Sequence, residues 1–315
     1  MIRFIVRRLL QSVPLLLVIS LLIFALIHAA PGGPLSTYLE NPNVRPEDIE
    51  RLRRAMGLDR PLGVQYLSWL RAFVQGDWGF SYADGRPVLD RLVERIPATL
   101  ELIGVACVMA LLAALPVGII AAINRRFDRV SSVFAVAGIS LPVFWFGLLL
   151  QLVFAGALGW LPSSGRTSFD GGDVADRAAH LVLPATVLAA ALSAAWSRYL
   201  RRAMRDTVAR PFMRAARARG LSQRTLLLHH ALPNALPTFV TVVLLDISMM
   251  ASGAVVTESI FAWPGIGSLF TEALGKRDYA VLMAFLMCGS IAVMVLNLVA
   301  DLAVHALDPR TRDAA

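Results

Sequence analysis

Six stretches of the chain stay apolar over a membrane-like length. Leu9–Ala30 has no charge beyond a possible one on His28, Ile96–Ile123 carries only Glu101, and Val130–Ala157 carries none. Leu181–Ser197 is the shortest and is uncharged, Ala235–Thr257 holds one acid, Asp246, and Tyr279–Ala300 ends at Asp301. A helix rising about 1.5 Å per residue needs about 20 apolar residues to cross the roughly 30 Å hydrocarbon layer. Lipid offers no partner to open backbone groups, so each stretch is expected to be a helix. The pattern predicts an all-α membrane protein with about six transmembrane helices. Pro14, Pro116, Pro142, Pro184 and Pro237 fall inside these stretches. They read either as kinks in a protein that moves or as the ordinary proline use of membrane helices. Met1–Arg8 is a basic lead-in, but the apolar run after it is too long for a signal peptide. Ile27-His28-Ala29-Ala30-Pro31 is also a poor cleavage site, so a retained helix is expected.

The polar segments divide the chain into residues 1–30 (the N-terminal end and first helix), 31–95 (a long loop), and 96–315 (a core with five further helices). Inside the long loop, Pro46–Met56 reads as a short helix, with Pro-Glu-Asp at its start and Gly57 past its end. Val64–Val74 reads as an amphipathic helix with Trp69 and Phe73; Trp78 and Tyr82 follow, aromatic residues suited to headgroup level. Val88–Arg95 leads back to the membrane. The core has two notable connections, 198–234 and 258–278. In the first, Arg198, Arg201, Arg202 and Arg205 share one helical face. Gly220 suits the left-handed position that ends a helix, and Ser222 can cap a new one that Leu226–His230 continues. Leu232-Pro233-Asn234 closes the connection. A helix, glycine turn and helix of this length exceed a mere connector, since helix links usually take about 2–8 residues. A docking knob for a soluble partner is the alternative to a connector.

Charge orients the chain. Hydrophobic residues make up 57% and charged residues 17%, the net charge is +8, and Lys276 is the only lysine. Arginines concentrate in Met1–Arg8, in Asn124–Arg129, in the C-terminal tail (Arg310, Arg312) and in Arg198–Asn234, which has nine against the single acid Asp206. The alternate short loops, Leu158–His180 and Glu258–Asp278, hold two basic residues each. Positive residues stay inside, which places both termini and the 198–234 connection in the cytoplasm. The long loop carries nine arginines and nine acids and contributes little to the rule. The arginine stripe lacks an aromatic stacking platform, which argues against nucleic acid and for anionic headgroups of the lipid bilayer. Cys107 and Cys288 sit singly in apolar runs and support neither a disulfide framework nor a metal cluster.

The pattern Ala215-Ala216-x-x-x-Gly220, followed by Leu232-Pro233-Asn234, resembles the EAA loop of ABC importer permeases; Arg214 stands where the motif has its glutamate. Further segments resemble the dipeptide, oligopeptide and nickel branch, and in particular the first of a permease pair. They are Arg7-Arg8-Leu9-Leu10, Pro31-Gly32-Gly33-Pro34, Met56-Gly57-Leu58-Asp59-Arg60-Pro61 with Gln65-Tyr66, Gln75 to Ser81, Pro97 to Leu102, and Glu258 to Gly267. The resemblance runs nearly end to end. It implies a type I ABC importer-like permease that forms the translocation path by alternating access. Its implied partners are a second homologous permease, two ATPase subunits or domains, and an extracytoplasmic substrate-binding protein. No G-x-x-x-x-G-K-S/T loop occurs, so this chain is expected to be a non-catalytic subunit without cofactor, with ATP and magnesium on the ATPase. The resemblance also implies that Arg214, Ala215, Ala216, Gly220, Leu221, Ser222, Leu226, Leu232 and Pro233 form the ATPase-coupling elbow, with apolar contacts from Leu221 and Leu226–Leu228.

Asp246 is the one acid near the middle of a span, and burying it costs roughly 2.5–3.5 kcal/mol on insertion scales. Met249, Met250 and Gly253 share its helical side. One reading puts these residues on the substrate pathway; the other gives Asp246 an interhelical hydrogen bond or an arginine of the partner permease. Glu101 and Asp301 lie near span ends and read as structural. Trp263-Pro264-Gly265 makes a tight turn. Related permeases use this region to probe the binding protein, while Trp263 could equally anchor at the headgroups. The implied cargo is a dipeptide or oligopeptide, with nickel chelates or haem as alternatives. A secondary transporter is the rival class, but the two halves show no likeness. Neither H-E-x-x-H nor G-x-S-x-G is present to suggest an intramembrane enzyme.

Overall fold

The computed structural model describes residues 2–29, 35, 45–55, 57–168 and 171–307. Pro31-Gly32-Gly33-Pro34, Met56 and the tail with Arg310 and Arg312 lie outside them. The described residues form helices and no extended strand; Phe80 and Pro87 make one isolated bridge.

The helices are α1 (Ile2–Ala29), α2 (Pro46–Ala55), α3 (Leu62–Val74), α4 (Val88–Ile123), α5 (Arg125–Ser140), α6 (Val143–Leu150), α7 (Val174–Val208), α8 (Pro211–Ala218), α9 (Gln223–Thr225), α10 (Leu232–Gly253), α11 (Val255–Ile260), α12 (Ile266–Gly275) and α13 (Tyr279–Leu307). Wider π turns occupy Gln151–Ala157 and Leu226–Ala231. Five helical stretches are long and apolar enough to cross a membrane, and a bent pair makes a sixth candidate.

That pair covers the expected span Val130–Ala157, in which Pro142 falls at a sharp bend. The chain turns by 97° between α5 and the α6 segment. Leu141 is extended (φ −75°, ψ 126°) and Pro142 precedes the first residue of α6. A residue before proline is driven out of the helical region, and proline can give no N–H to the turn behind it. Pro14, Pro184 and Pro237, by contrast, sit within continuous helices. The fifth span is also redrawn: α10 ends at Gly253, and Ala254 separates it from α11. The shortest expected span, Leu181–Ser197, is the middle of a 35-residue helix. At about 1.5 Å per residue such a helix is roughly 52 Å long, so its ends, including the arginine stripe, extend beyond the apolar layer.

The chain forms two compact units. The first comprises Met1–Pro97 and Gly265–Ala292, the second Ala98–Pro264 and Val293–Ala315. In the first, Ile23, Phe24 and Ile27 of α1 pack in a core with Val88, Leu92, Leu269, Ala273 and the start of α13. The Ser20 hydroxyl bonds the Tyr66 hydroxyl at 2.8 Å, tying α1 to α3. A polar clasp holds the segment before α4. Asp278 is fully buried and accepts from the Ser81 hydroxyl (2.5 Å) and the Tyr82 N–H (3.1 Å). The buried Arg91 guanidinium lies 3.6 Å from Asp278, 3.3 Å from Glu272 and 3.5 Å from Asp84, and donates to the Ser81 hydroxyl at 2.9 Å. The buried Arg91 and Asp278 are tolerable in the interior because each meets an opposite charge, while Glu272 and Asp84 keep part of their solvent.

In the second unit α7 packs on α10 and on α5. The core runs from Ala98 and Leu102 through Trp196, Leu200 and Met204 to Phe239 and Trp263. Gly118 lets α4 and α7 approach closely, since a Cβ there would stand 2.9 Å from the Leu200 side chain.

Candidate coupling elbow and the polar sites of the core

The elbow between α7 and α10 is built from its glycine outward. α8 begins with Pro211 at its first position, where a missing N–H costs nothing. Gly220 follows with φ +81°, a conformation that an L side chain reaches only under strain. Nothing lies within 4 Å of where its Cβ would be, so the backbone angle alone calls for glycine. The Ser222 hydroxyl then accepts the Thr225 N–H at 3.2 Å and starts α9. The backbone widens to a π turn over Leu226–Ala231 just before Pro233. The ring of Pro233 crowds the carbonyl of His229 and has no N–H to give it, and a widened turn relieves both problems. The Asn234 side chain donates to the His230 carbonyl at 2.8 Å.

Burial sorts the elbow residues into two sets. Met213, Leu226, Leu227 and Ala231 are buried in the core of the second unit, with Ala216 and Leu232 partly covered. Arg214, Ala215, Gly220, Leu221, Ser222 and Pro233 are exposed, as are Phe212 and Leu228. The expectation that Leu226 and Leu227 offer an outward apolar contact is therefore revised. They anchor the elbow, and the outward apolar groups are Phe212, Leu221 and Leu228. Met213 was not anticipated; its place in the short amphipathic turn after Pro211 was the available signal. Arg214, Arg217, Arg219 and Arg224 form no ion pair among the described residues. The arginines of α7 behave differently, since Arg201 and Arg205 both bind Asp128, Arg205 at 2.7 Å. Arg201 also donates to the Ser132 hydroxyl at 2.7 Å. Part of the stripe thus ties α7 to α5.

Asp246 is half-buried on α10, and its Oδ2 accepts the indole N–H of the fully buried Trp196 at 2.8 Å. An interhelical bond of this kind satisfies one carboxylate oxygen without a charge partner. The residues expected beside it separate. Met250 is in the core, Met249 is 74% exposed, and Gly253 is the last residue of the helix.

The connection after α11 is interior. Trp263 is 0% exposed, and its indole N–H donates to the Ala98 carbonyl at 2.8 Å. Its side chain is therefore neither a headgroup anchor nor a surface for a soluble protein, because the ring is enclosed by its own fold. Gly265 is also buried and Pro264 is half-covered. Ala262, at φ +46°, is the exposed residue of this turn. Glu258 is fully buried and accepts the Thr99 hydroxyl at 2.6 Å, while its carbonyl takes the Trp263 N–H at 2.8 Å. Two segments that stood apart in sequence, around Ala98-Thr99 and Glu258 to Trp263, are thus interlocked. Nearby, Glu101 is clamped by Arg166 (2.7 Å) and Arg177 (2.5 Å), which fixes the connection between α6 and α7.

Within the second unit, an elbow with exposed groups around Gly220 thus stands beside a buried turn from Glu258 to Trp263. Residues 114–313 match the family described as "Binding-protein-dependent transport system inner membrane component", and residues 1–103 match its N-terminal companion. The chain is 39% identical over 315 residues to the oligopeptide transport system permease protein AppB of Bacillus subtilis (strain 168), covering 98% of each. It is 37% identical over 314 residues to the glutathione transport system permease protein GsiC of Escherichia coli (strain K12), covering 99% of each. Among solved structures, the MetNI methionine ABC transporter in an inward-facing form matches at a TM-score of 0.58 and 19% identity, over 70% of this chain and 97% of that one. An amino acid ABC transporter matches at 0.53 and 14%, over 68% and 92%. The chain belongs to the binding-protein-dependent transport system inner membrane components and has the fold of type I ABC importer permeases.

Proposed function

We propose that this protein is the transmembrane permease subunit of an ATP-driven importer of short peptides, working by alternating access with a second permease, two ATPase subunits and an extracytoplasmic binding protein. Peptide cargo is supported by the full-length relatives, whose names specify oligopeptide and glutathione transport. The carrying observation is the elbow. Met213, Leu226 and Leu227 fasten it to the core while Phe212, Leu221 and the arginines around Gly220 remain outside. An ATPase that grips those outward groups in the cytosol would move the buried anchors with them. Because packed interiors do not deform smoothly, such a push reorients α7 and α10 as rigid bodies. Both termini share the cytosolic side with the elbow. ATP and magnesium belong to the ATPase subunits. Asp246 and Met249 border the path on α10, where the carboxylate, steadied by Trp196, meets a peptide amine.

The test uses the transporter complex reconstituted in vesicles. Gly220→Pro, which cannot reach φ +81°, should leave the chain inserted yet abolish substrate-stimulated ATP hydrolysis and uptake. Normal coupling in that variant overturns the docking role. Asp246→Ala should change uptake while the subunits stay together; unchanged uptake of all tested peptides removes it from the path.

A further inference from the structure

The first unit contains a cavity of about 310 Å³ that the transport reading does not use. Its volume lies at the lower end of the roughly 300–1,000 Å³ typical of small-molecule sites. The floor is apolar, made by Phe24 of α1 and Met283 of α13. Its polar walls are His28, Arg54, Arg60, Gln65, Ser68 and Tyr82, with Trp69 beside them.

The sequence builds this wall deliberately. α2 ends at Ala55, and the Gly57 N–H and Leu58 N–H return to the Arg54 and Arg53 carbonyls at 3.0 Å each. Gly57 takes φ +65°, which turns the chain so that Arg60 follows Arg54 onto the same cavity. The Gln65 side-chain amide donates to the Arg60 carbonyl at 2.7 Å and locks the turn. His28 stacks on Phe24 with ring centroids 3.9 Å apart, and its Nδ1 bonds the Phe24 carbonyl at 2.8 Å. The segment Gly57 to Gln65, within one of those that carry the family resemblance, thus places Arg60 on the cavity that Arg54 also lines.

Their charge balance points to an anion. Several arginines of this unit are matched with acids, Arg51 with Asp48, Arg86 with Glu94, and Arg91 with Asp278, while Arg45 and Arg71 stand outside the cavity with no ion pair among the described residues. Arg54 and Arg60 have no carboxylate within ion-pair distance among the described residues. Two cations flanking one cavity repel each other unless a negative group joins them, and guanidinium forks fit phosphate well. The location selects the source. The cavity opens at the last turn of α1, where the helix leaves the apolar layer. Leu10, Pro14, Leu17 and Leu21 fall at the helical spacing that shares a face with Phe24 and His28, and all four are exposed. A ligand with a phosphate above and hydrocarbon below matches that sequence of surfaces. Tryptophan, tyrosine and histidine at the boundary suit it too.

We propose that this cavity binds the phosphate headgroup of an anionic phospholipid of the outer leaflet, with Arg54 and Arg60 on the phosphate and the acyl chains along the Leu10–Leu21 face of α1. The experiment is native mass spectrometry of the intact transporter complex, released from mixed phosphatidylglycerol and phosphatidylcholine nanodiscs. The complex should retain phosphatidylglycerol over phosphatidylcholine, and Arg54→Ala/Arg60→Ala should cut that preference by about tenfold with all subunits still assembled. Equal retention by the variant overturns the proposal. A second arm follows modification of Arg54 and Arg60 by an arginine-specific dicarbonyl in detergent. Phosphatidylglycerol micelles should protect both residues and millimolar inorganic phosphate should not. Equal protection by inorganic phosphate would make the site one for a soluble anion and sink the lipid assignment. Leu17→Ser/Leu21→Ser should lower lipid retention and leave the modification rate in lipid-free detergent unchanged. Unaltered retention would remove the acyl-chain part.

Discussion

The elbow from Pro211 to Ala231 and the turn from Glu258 to Trp263 do comparable local work in opposite ways. Each is a short irregular passage beside a long helix, and each contains a residue at positive φ, Gly220 in one and Ala262 in the other. Each carries residues of a recognisable family segment. The elbow keeps Ala215, Gly220, Leu221 and Pro233 outside, buries Leu226, and leaves four arginines without ion partners among the described residues. The turn folds its family residues inward, with Glu258 and Trp263 at 0% exposure and Phe261 at 1%. Residues that mark a family can therefore lie at the surface or in the protein's own interior. Only burial separates the two.

The comparison breaks most visibly at Trp263. Trp263→Ala removes a fully enclosed ring and its bond to Ala98, which should cost about 3–5 kcal/mol and show as reduced thermal stability of the purified complex. Normal stability with lost uptake alone would mean that the turn serves a partner after all. Thr99→Val keeps the shape but withdraws the hydroxyl from Glu258. Loss of a hydrogen bond to a buried carboxylate should cost about 1–3 kcal/mol, read by the same thermal assay, and Thr99→Ser should recover most of it. The polar clasp of the first unit gives a smaller, pH-dependent effect. The Lys276 ammonium bonded to Glu272 lowers its carboxyl from 4.5, with Arg91 and Arg95 assisting against burial. At Asp84 burial acts upward but is outweighed by the Arg86 N–H, the Ser81 hydroxyl and Arg91, so its carboxyl falls from 3.8. Both groups bind protons more weakly folded than unfolded. Their contribution is complete above the ordinary carboxylate range, and it disappears as pH falls through the depressed values. Because both are partly solvated, each should supply less than about 1 kcal/mol. Melting curves should thus agree between pH 7 and 5, with the clasp weakening below roughly pH 4; Glu272→Gln should flatten its share. The smallest stability change belongs to the elbow. Phe212→Ser and Leu221→Ser should shift stability by no more than about 0.5 kcal/mol while reducing ATPase stimulation. A large loss of stability would show that these side chains are interior, as Trp263 is.

Much of the secondary structure was legible in advance. The cap at Ser222, the stop at Gly57 and the turn at Gly220 follow from side-chain chemistry and backbone sterics acting within a few residues. The break at Pro142 was foreshadowed by the proline. Its 97° size was not, because a proline inside Pro184's helix or Pro237's leaves the rod continuous. At Pro142 the preceding residue, Leu141, is extended, whereas Leu183 and Leu236 stay helical before their prolines.

The sequence by itself determined that this chain is a multi-pass helical membrane protein and which family it joins. Those properties depend on local hydrophobicity, on the obligation of lipid-exposed backbone to bond within its own helix, and on motifs in fixed order. Tertiary structure alone decided that Leu226 anchors rather than contacts, that Trp263 is sealed, that Trp196 meets Asp246, and that Arg54 and Arg60 share one cavity. Apolar residues at helical spacing look alike whether they face lipid, a partner or the core, and only the position of the neighbouring helices distinguishes them.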